Sequence, residues 1–130
     1  MAAQVSVTIA ATVTELGEET DVRQKFATAN TPTAHTKAYR TLATADTPEM
    51  LDLGDVAVSV CDGVWFKATG DEFWIDTTVS TGGAASDFAA ELHVADGKSV
   101  WFEPPRATTS VAILASTAAA YEYLVVGTTS

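Results

Sequence analysis

Alternation of apolar and polar side chains dominates this chain. In "VSVTIAATV", Val5, Val7, Ile9, Ala11 and Val13 fall on one face and Ser6, Thr8, Ala10, Thr12 and Thr14 on the other, the period of a half-buried strand. "DVAVSV" repeats the pattern with Val56, Val58 and Val60. Asp62-Gly63 and Asp96-Gly97 are two-residue hairpin signals, the second lying between "ELHVA" and "KSVWF". Gly82-Gly83 marks a loop, and Pro104-Pro105 ends the strand "SVWFE". "SVAILAS" and "YEYLVVG" supply the last two strands. Between residues 15 and 48 the pattern weakens into a Thr-, Ala- and charge-rich stretch broken by Pro32 and Pro48. Short strands are expected there near residues 22–27 and 37–44, on what reads as an extended arm. The best helical candidate, "AASDFAAEL", is short enough for one turn or a strand lead-in. Many short strands with frequent turns predict an all-β fold, an antiparallel, jelly-roll-like β-sandwich with an extended N-terminal arm. Residues 1–50 would form the first strand and arm and residues 51–130 the sandwich body, as one domain overall.

The stretch "DGVWFKATGDEFWIDTT" poses the main functional question. Read as a hairpin with a type II′ turn at Gly70-Asp71, it pairs Phe66 with Ile75 and Val64 with Thr77 on one face. Lys67 then opposes Trp74 and Trp65 opposes Asp76, so both tryptophans share the second face. The Phe66/Ile75 face suits a core, and something else must close the tryptophan face. Three coverings compete: a second sheet or the 15–48 arm, identical subunits, or a ligand stacked on the indoles. The C-terminal strands favour subunits. Val111, Ile113 and Ala115 alternate with Ala112 and Leu114, while Tyr121, Tyr123 and Val125 alternate with Leu124 and Val126, so both faces of each strand are apolar. Obligate oligomers bury such strands readily, and tyrosine hydroxyls suit an interface rim.

Composition narrows the partners. The chain has 130 residues, 47% of them hydrophobic, with 17 Asp and Glu against 7 Lys and Arg, a formal net charge of −10. Such a surface repels phosphate backbones and anionic lipid, so neither nucleic acid nor membrane is an expected partner. Cys61 is the sole cysteine, which excludes an intramolecular disulfide and a Cys-x-x-Cys metal site. The N-terminus lacks the basic start and long apolar core of a signal peptide, and no apolar run reaches membrane-spanning length, the C-terminal region being interrupted by Ser116, Thr117 and Glu122. Folding in a reducing cytoplasm is expected.

Catalytic chemistry finds little purchase. The chain holds two histidines, His35 and His93, and no Gly-x-Ser-x-Gly elbow, His-Glu-x-x-His motif, P-loop or Asp-x-Asp-x-Asp-Gly calcium loop. Asp71 and Glu72 suit a turn tip, and Asp76 with Glu91 is no better an acid–base pair than any other. Arg106, after "FEPP", is read as a solvated loop residue or as an anchor between subunits. No enzyme activity, metal or cofactor is expected. The candidate oligomer or shell interface comprises Trp65, Trp74, Trp101, Tyr121, Tyr123 and Arg106.

From about Leu51 to Thr128 the chain resembles a family of small bacteriophage virion proteins. The segments that carry the resemblance are "LGDVAVSV", "DGVWFKATGDEFWIDTTVS", "ADGKSVWFEPP" and "ATTSVAILASTAAAYEYLVVGT". Residues up to Pro48 lie outside it. The resemblance implies a structural subunit of the virion, often a homotrimer, that binds the major capsid protein as a decoration or cement protein. A tail, collar or head-fibre base component is the alternative within that class. From another class, a carbohydrate-binding β-sandwich would use Trp65, Trp74 or Trp101 as its platform.

Overall fold

The computed structural model describes residues 5–13, 20–27, 32–56, 61–79, 88–105 and 110–128. Their strands are β1 (Ser6–Val13), β2 (Thr20–Ala27), β3 (Ala34–Thr41), β4 (Glu49–Met50), β5 (Cys61–Thr69), β6 (Phe73–Val79), β7 (Leu92–Val94), β8 (Ser99–Phe102), β9 (Ser110–Leu114) and β10 (Ala120–Gly127). Eight of them build two antiparallel four-stranded sheets, ordered β3-β10-β5-β8 and β4-β9-β6-β7, and β1 pairs with β2 in a separate two-stranded sheet. The protein is therefore all-β and sandwich-like, as the alternation predicts.

The chain winds between the layers. β3 pairs with β10, β4 with β9, β5 with β8 and β6 with β7, so the chain folds back on itself about the β6–β7 connection. The pairs β10/β5 and β6/β9 then complete the two sheets. Among the body strands only β6 and β7 are both consecutive and paired; every other connection crosses from one sheet to the other.

Side-chain alternation then fills the space between the sheets. Val64, Phe66 and Ala68 of β5 and Tyr121, Tyr123 and Val125 of β10 face Phe73 and Ile75 of β6 and Val111 and Ile113 of β9 in one core cluster. Phe66 meets Phe73 edge-on across the layers with centroids 5.3 Å apart, and stacks on Tyr121 at 5.6 Å. Each such buried aromatic contributes on the order of 1.5–3 kcal/mol by leaving water, and aromatic pairing adds about 0.5–1.5 kcal/mol. The last strands are apolar on both faces because β9 and β10 lie inside their sheets rather than at an edge. Val126 and Ala112 belong to the alternate set, lie outside the core cluster and are nevertheless buried.

Two hairpins read from the sequence are corrected here. β5 and β6 lie in opposite sheets, so Phe66 does not pair with Ile75, and Trp65 and Trp74 do not share a face. β7 and β8 also lie in opposite sheets, so Asp96-Gly97 links two layers. Gly70 (φ 96°) and Gly97 (φ 77°) do supply the left-handed backbone that the turn signals promised. A tight turn, however, leaves the next strand free to rise into the facing sheet. Of the six crossing connections, those after β3, β5, β7 and β9 gather at one end and tie to each other. Gly70 N–H donates to Asp96 Oδ1 at 2.8 Å and the Thr117 hydroxyl to Asp71 Oδ2 at 2.9 Å. Leu42 N–H donates to the Ala119 carbonyl and Asp46 N–H to that of Ala115, both at 2.9 Å.

β3 and β4 belong to the sandwich sheets, so strands of the body begin before residue 50; most of the described residues between 15 and 48 are strand, and the β1–β2 hairpin forms a sheet of its own. β2 begins two residues earlier than expected, and β3 three residues earlier. Asp62-Gly63 lies within β5 rather than in a turn, at a register shift where Val126 opposes Gly63 and Gly127 opposes Cys61. Within "DVAVSV", residues 57–60 lie outside the described residues, as do residues 84–87 of "AASDFAAEL", whose described remainder, residues 88–92, is not helical.

Candidate functional site

The outer face of the β3-β10-β5-β8 sheet carries the tryptophan site. Cross-strand register places Lys37, Leu124, Trp65 and Trp101 in one row across the four strands. Trp65 and Trp101 are directly opposed, and both are half-buried. The Trp101 indole lies over Gly63. A Cβ there would sit 2.5 Å from Cη2 and 2.8 Å from Cε2 of the ring. Gly63 has no positive φ, so the glycine serves here to make room rather than to allow a special backbone. The Trp101 Nε1 is buried and has no hydrogen-bond partner among the described residues.

The N-terminal hairpin lies over this row without closing on it. A cleft of about 710 Å³ is lined by residues 5–10 on one side and by Trp65, Ser99, Val100, Trp101 and Leu124 on the other. Val5 and Val7 are half-buried, whereas Ile9 is 49% exposed. The second face of the Trp65 strand is thus partly covered by the chain's own first hairpin. Leu124, Gly63 and β1 went unremarked as site residues in the sequence. The available signals were the apolar Leu124 and Val126 alternating with the two tyrosines, and a strand glycine two residues from a tryptophan.

The other interface candidates scatter. Trp74 lies on the opposite sheet, beside His93 of β7 with ring centroids 5.6 Å apart, and opposite Leu114 of β9. His93 Nε2 lies 3.1 Å from Glu72 Oε2 on that exposed face. Tyr121 and Tyr123 point into the core rather than to a rim. The Tyr121 hydroxyl donates to Glu49 Oε2 at 2.7 Å and that of Tyr123 to the Asp52 carbonyl at 2.8 Å. Burial, reinforced for Tyr121 by the Glu49 carboxylate, pushes both phenols above their ordinary range. Alternation places a tyrosine, but only the packing decides that its hydroxyl meets a protein acceptor between the layers. Arg106 lies outside the described residues.

Asp76 and Glu91 do come together, at the register shift of β6. Asp76 Oδ1 accepts from Thr78 N–H at 2.8 Å and Oδ2 from Ala89 N–H at 2.9 Å. Glu91 Oε1 accepts from Thr77 N–H at 3.0 Å and Oε2 from the Thr77 hydroxyl at 3.1 Å. Burial raises the Asp76 carboxyl, but hydrogen bonds from Ala89 and Thr78 and with Glu91 outweigh it and leave the group below its ordinary value. These oxygens fasten residues 89–91 to β6, which is a structural use. Among the described residues no group of three or more His, Cys, Asp or Glu side chains is placed to hold a metal ion.

No protein-family model, curated protein or solved structure matches the chain.

Proposed function

We propose that this protein is a bacteriophage virion structural subunit, a capsid decoration or cement protein that binds the major capsid shell as a homo-oligomer. The observation that carries the reading is the half-covered row of Trp65, Trp101 and Leu124 beneath a projecting hairpin. That surface offers apolar contact area with few groups suited to bond chemistry, the profile of a protein–protein site. The mirrored pairing about the β6–β7 connection supports reading the sandwich as a jelly roll, a scaffold that presents loops and an arm around a rigid core. A net charge of −10 supports a basic patch on the shell as the docking surface. Many modest contacts of this kind, summed over a repetitive shell, give stable attachment.

The direct test mixes the purified protein with shells of the major capsid protein encoded in the same genome and measures co-sedimentation. Saturable binding at a fixed ratio per capsomer, with a rise in shell melting temperature, is the expected result. Absence of binding to the shell, with binding to tail or collar assemblies instead, moves the protein to another virion position. Absence of binding to any of them overturns the reading. The side-by-side Trp65 and Trp101 favour one second reading, a carbohydrate platform, from which Trp74 on the opposite sheet is excluded. Glycan-dependent quenching of tryptophan emission would favour that reading over the first.

A further inference from the structure

We infer that the β1–β2 hairpin is an exchange arm, whose apolar face enters the cleft between β1 and the Trp65–Trp101–Leu124 row of a second copy of this chain. The inference rests on the homo-oligomer part of the function proposed above and names the segment that makes the contact.

Several observations converge on it. The hairpin's ladder is limited to β1 and β2, and a two-stranded sheet alone is marginal in water. It therefore needs a surface, and its own body supplies only part of one. Cover fades along the apolar face of β1, from half-buried Val5 and Val7 to Ile9, half-exposed beside the Trp row. A cleft of about 710 Å³ remains open between β1 and the row. The buried Trp101 Nε1 next to it has a hydrogen to donate and no described acceptor.

The shape and charge of the cleft indicate its occupant. Consecutive residues of two strands line it, Val5 with 6–10 of β1 and 99–101 of β8, and each of these strands has a single described ladder partner. An apolar, extended segment is the ligand that such walls accept. The chain's own hairpin is such a segment, and its chemistry already suits the row, since Val5 and Val7 line the same cleft. Charge points the same way. The connection between β1 and β2, residues 14–19, contains Glu15, Glu18 and Glu19 and no cation. The row is flanked on its own sheet face by Lys37 and Lys67, two cations that bracket the single carboxylate of Glu122, 3.8 Å from Lys37. Passing the same arm from copy to copy is a heterologous contact, which closes into a ring such as a trimer.

The test uses two full-length variants, Ile9→Cys and Ser99→Cys, each beside the buried Cys61 of the parent. The two are mixed under mild oxidant and run without reductant, with the parent protein as control. The expected result is a disulfide dimer formed between the two variants, well above what either variant or the parent forms alone. Light scattering then follows Ile9→Lys, whose half-exposed site leaves folding intact by circular dichroism. Its mass is expected to fall from that of the parent oligomer to that of a monomer. A parent that stays monomeric at all concentrations overturns the inference, as does an Ile9→Lys variant that keeps the oligomer while the mixed variants fail to cross-link. Shell binding is read separately. A cross-linked oligomer that ignores capsids keeps the arm and removes the virion role, whereas a monomer that binds capsids does the reverse.

Discussion

Adding one methyl group at Gly63 tests the placement of Trp101, on which the tryptophan site depends. In Gly63→Ala the new Cβ would overlap the six-membered ring of the indole, with Cη2 at 2.5 Å and Cε2 at 2.8 Å, well inside contact distance. The ring atoms belong to a rigid side chain, so relief requires rotation of the whole indole off the sheet. Overpacking of this kind costs about 1–3 kcal/mol. Because Gly63 has no positive φ, its backbone accepts alanine without strain. In a Trp101→Ala background the clash disappears, and only the conformational gain of about 0.5–1 kcal/mol for replacing a strand glycine remains. Gly63→Ala should therefore destabilise the parent and slightly stabilise Trp101→Ala. The gain cancels between the two backgrounds, so the coupling energy equals the clash, about 1–3 kcal/mol, within the range seen for residues in contact. Urea unfolding of the four proteins measures it, with emission spectra of the parent pair reporting a red shift as the indole leaves its bed. If Gly63→Ala costs the same in both backgrounds, Trp101 does not lie over Gly63.

Three other outcomes follow from the geometry. Asp76→Ala leaves Ala89 and Thr78 N–H groups without their acceptor and should cost about 2–4 kcal/mol in urea unfolding. The folded carboxyl of Asp76 titrates below the unfolded one, so its stabilisation is present above the unfolded value of 3.8 and is lost as pH falls through the folded value. The acid-side slope of stability against pH should accordingly be shallower in Asp76→Asn. For Tyr121 and Tyr123 the sign is opposite, because burial raises both phenols, and the stability they bring is full below pH 10 and is lost as pH rises through the folded values. Their phenolate absorbance should appear together with unfolding on the alkaline side; appearance of both in the folded protein at pH 10 would contradict their burial. Phe66→Ala removes a ring that touches both Phe73 and Tyr121, and a loss of about 3–5 kcal/mol is expected by thermal or denaturant unfolding.

Much of the fold was legible residue by residue. Alternation in residues 5–13 gives β1, because side-chain period is a local property of a strand; apolar character on both faces of "SVAILAS" and "YEYLVVG" favours subunit contacts when read alone, and only the sheet order shows β9 and β10 to be interior strands. The weak signal of β3 has an equally local cause. As an edge strand it buries only Ala34, Thr36 and Ala38 partway and leaves Tyr39 65% exposed, so its sequence resembles that of an arm. Of the site, the sequence marked Trp65 and Trp101 as needing cover, and the structure brings them side by side.

Pairing was decided elsewhere. "ATGDEF" and "VADGKS" specify a reversal and a glycine with positive φ, but they do not state whether the next strand lies beside the first or opposite it. That choice is made by the whole set of apolar side chains. With β5 and β6 in facing sheets, Phe66, Phe73, Tyr121 and Tyr123 close into one aromatic cluster, and Trp65 and Trp74 leave by opposite outer faces. A hairpin would have left both tryptophans on one face. The sequence by itself determined which residues are strand and which need burial, because those depend on neighbours two positions away. Tertiary structure alone decided which strands meet, since that depends on burying apolar area contributed from residues 34 to 127 at once.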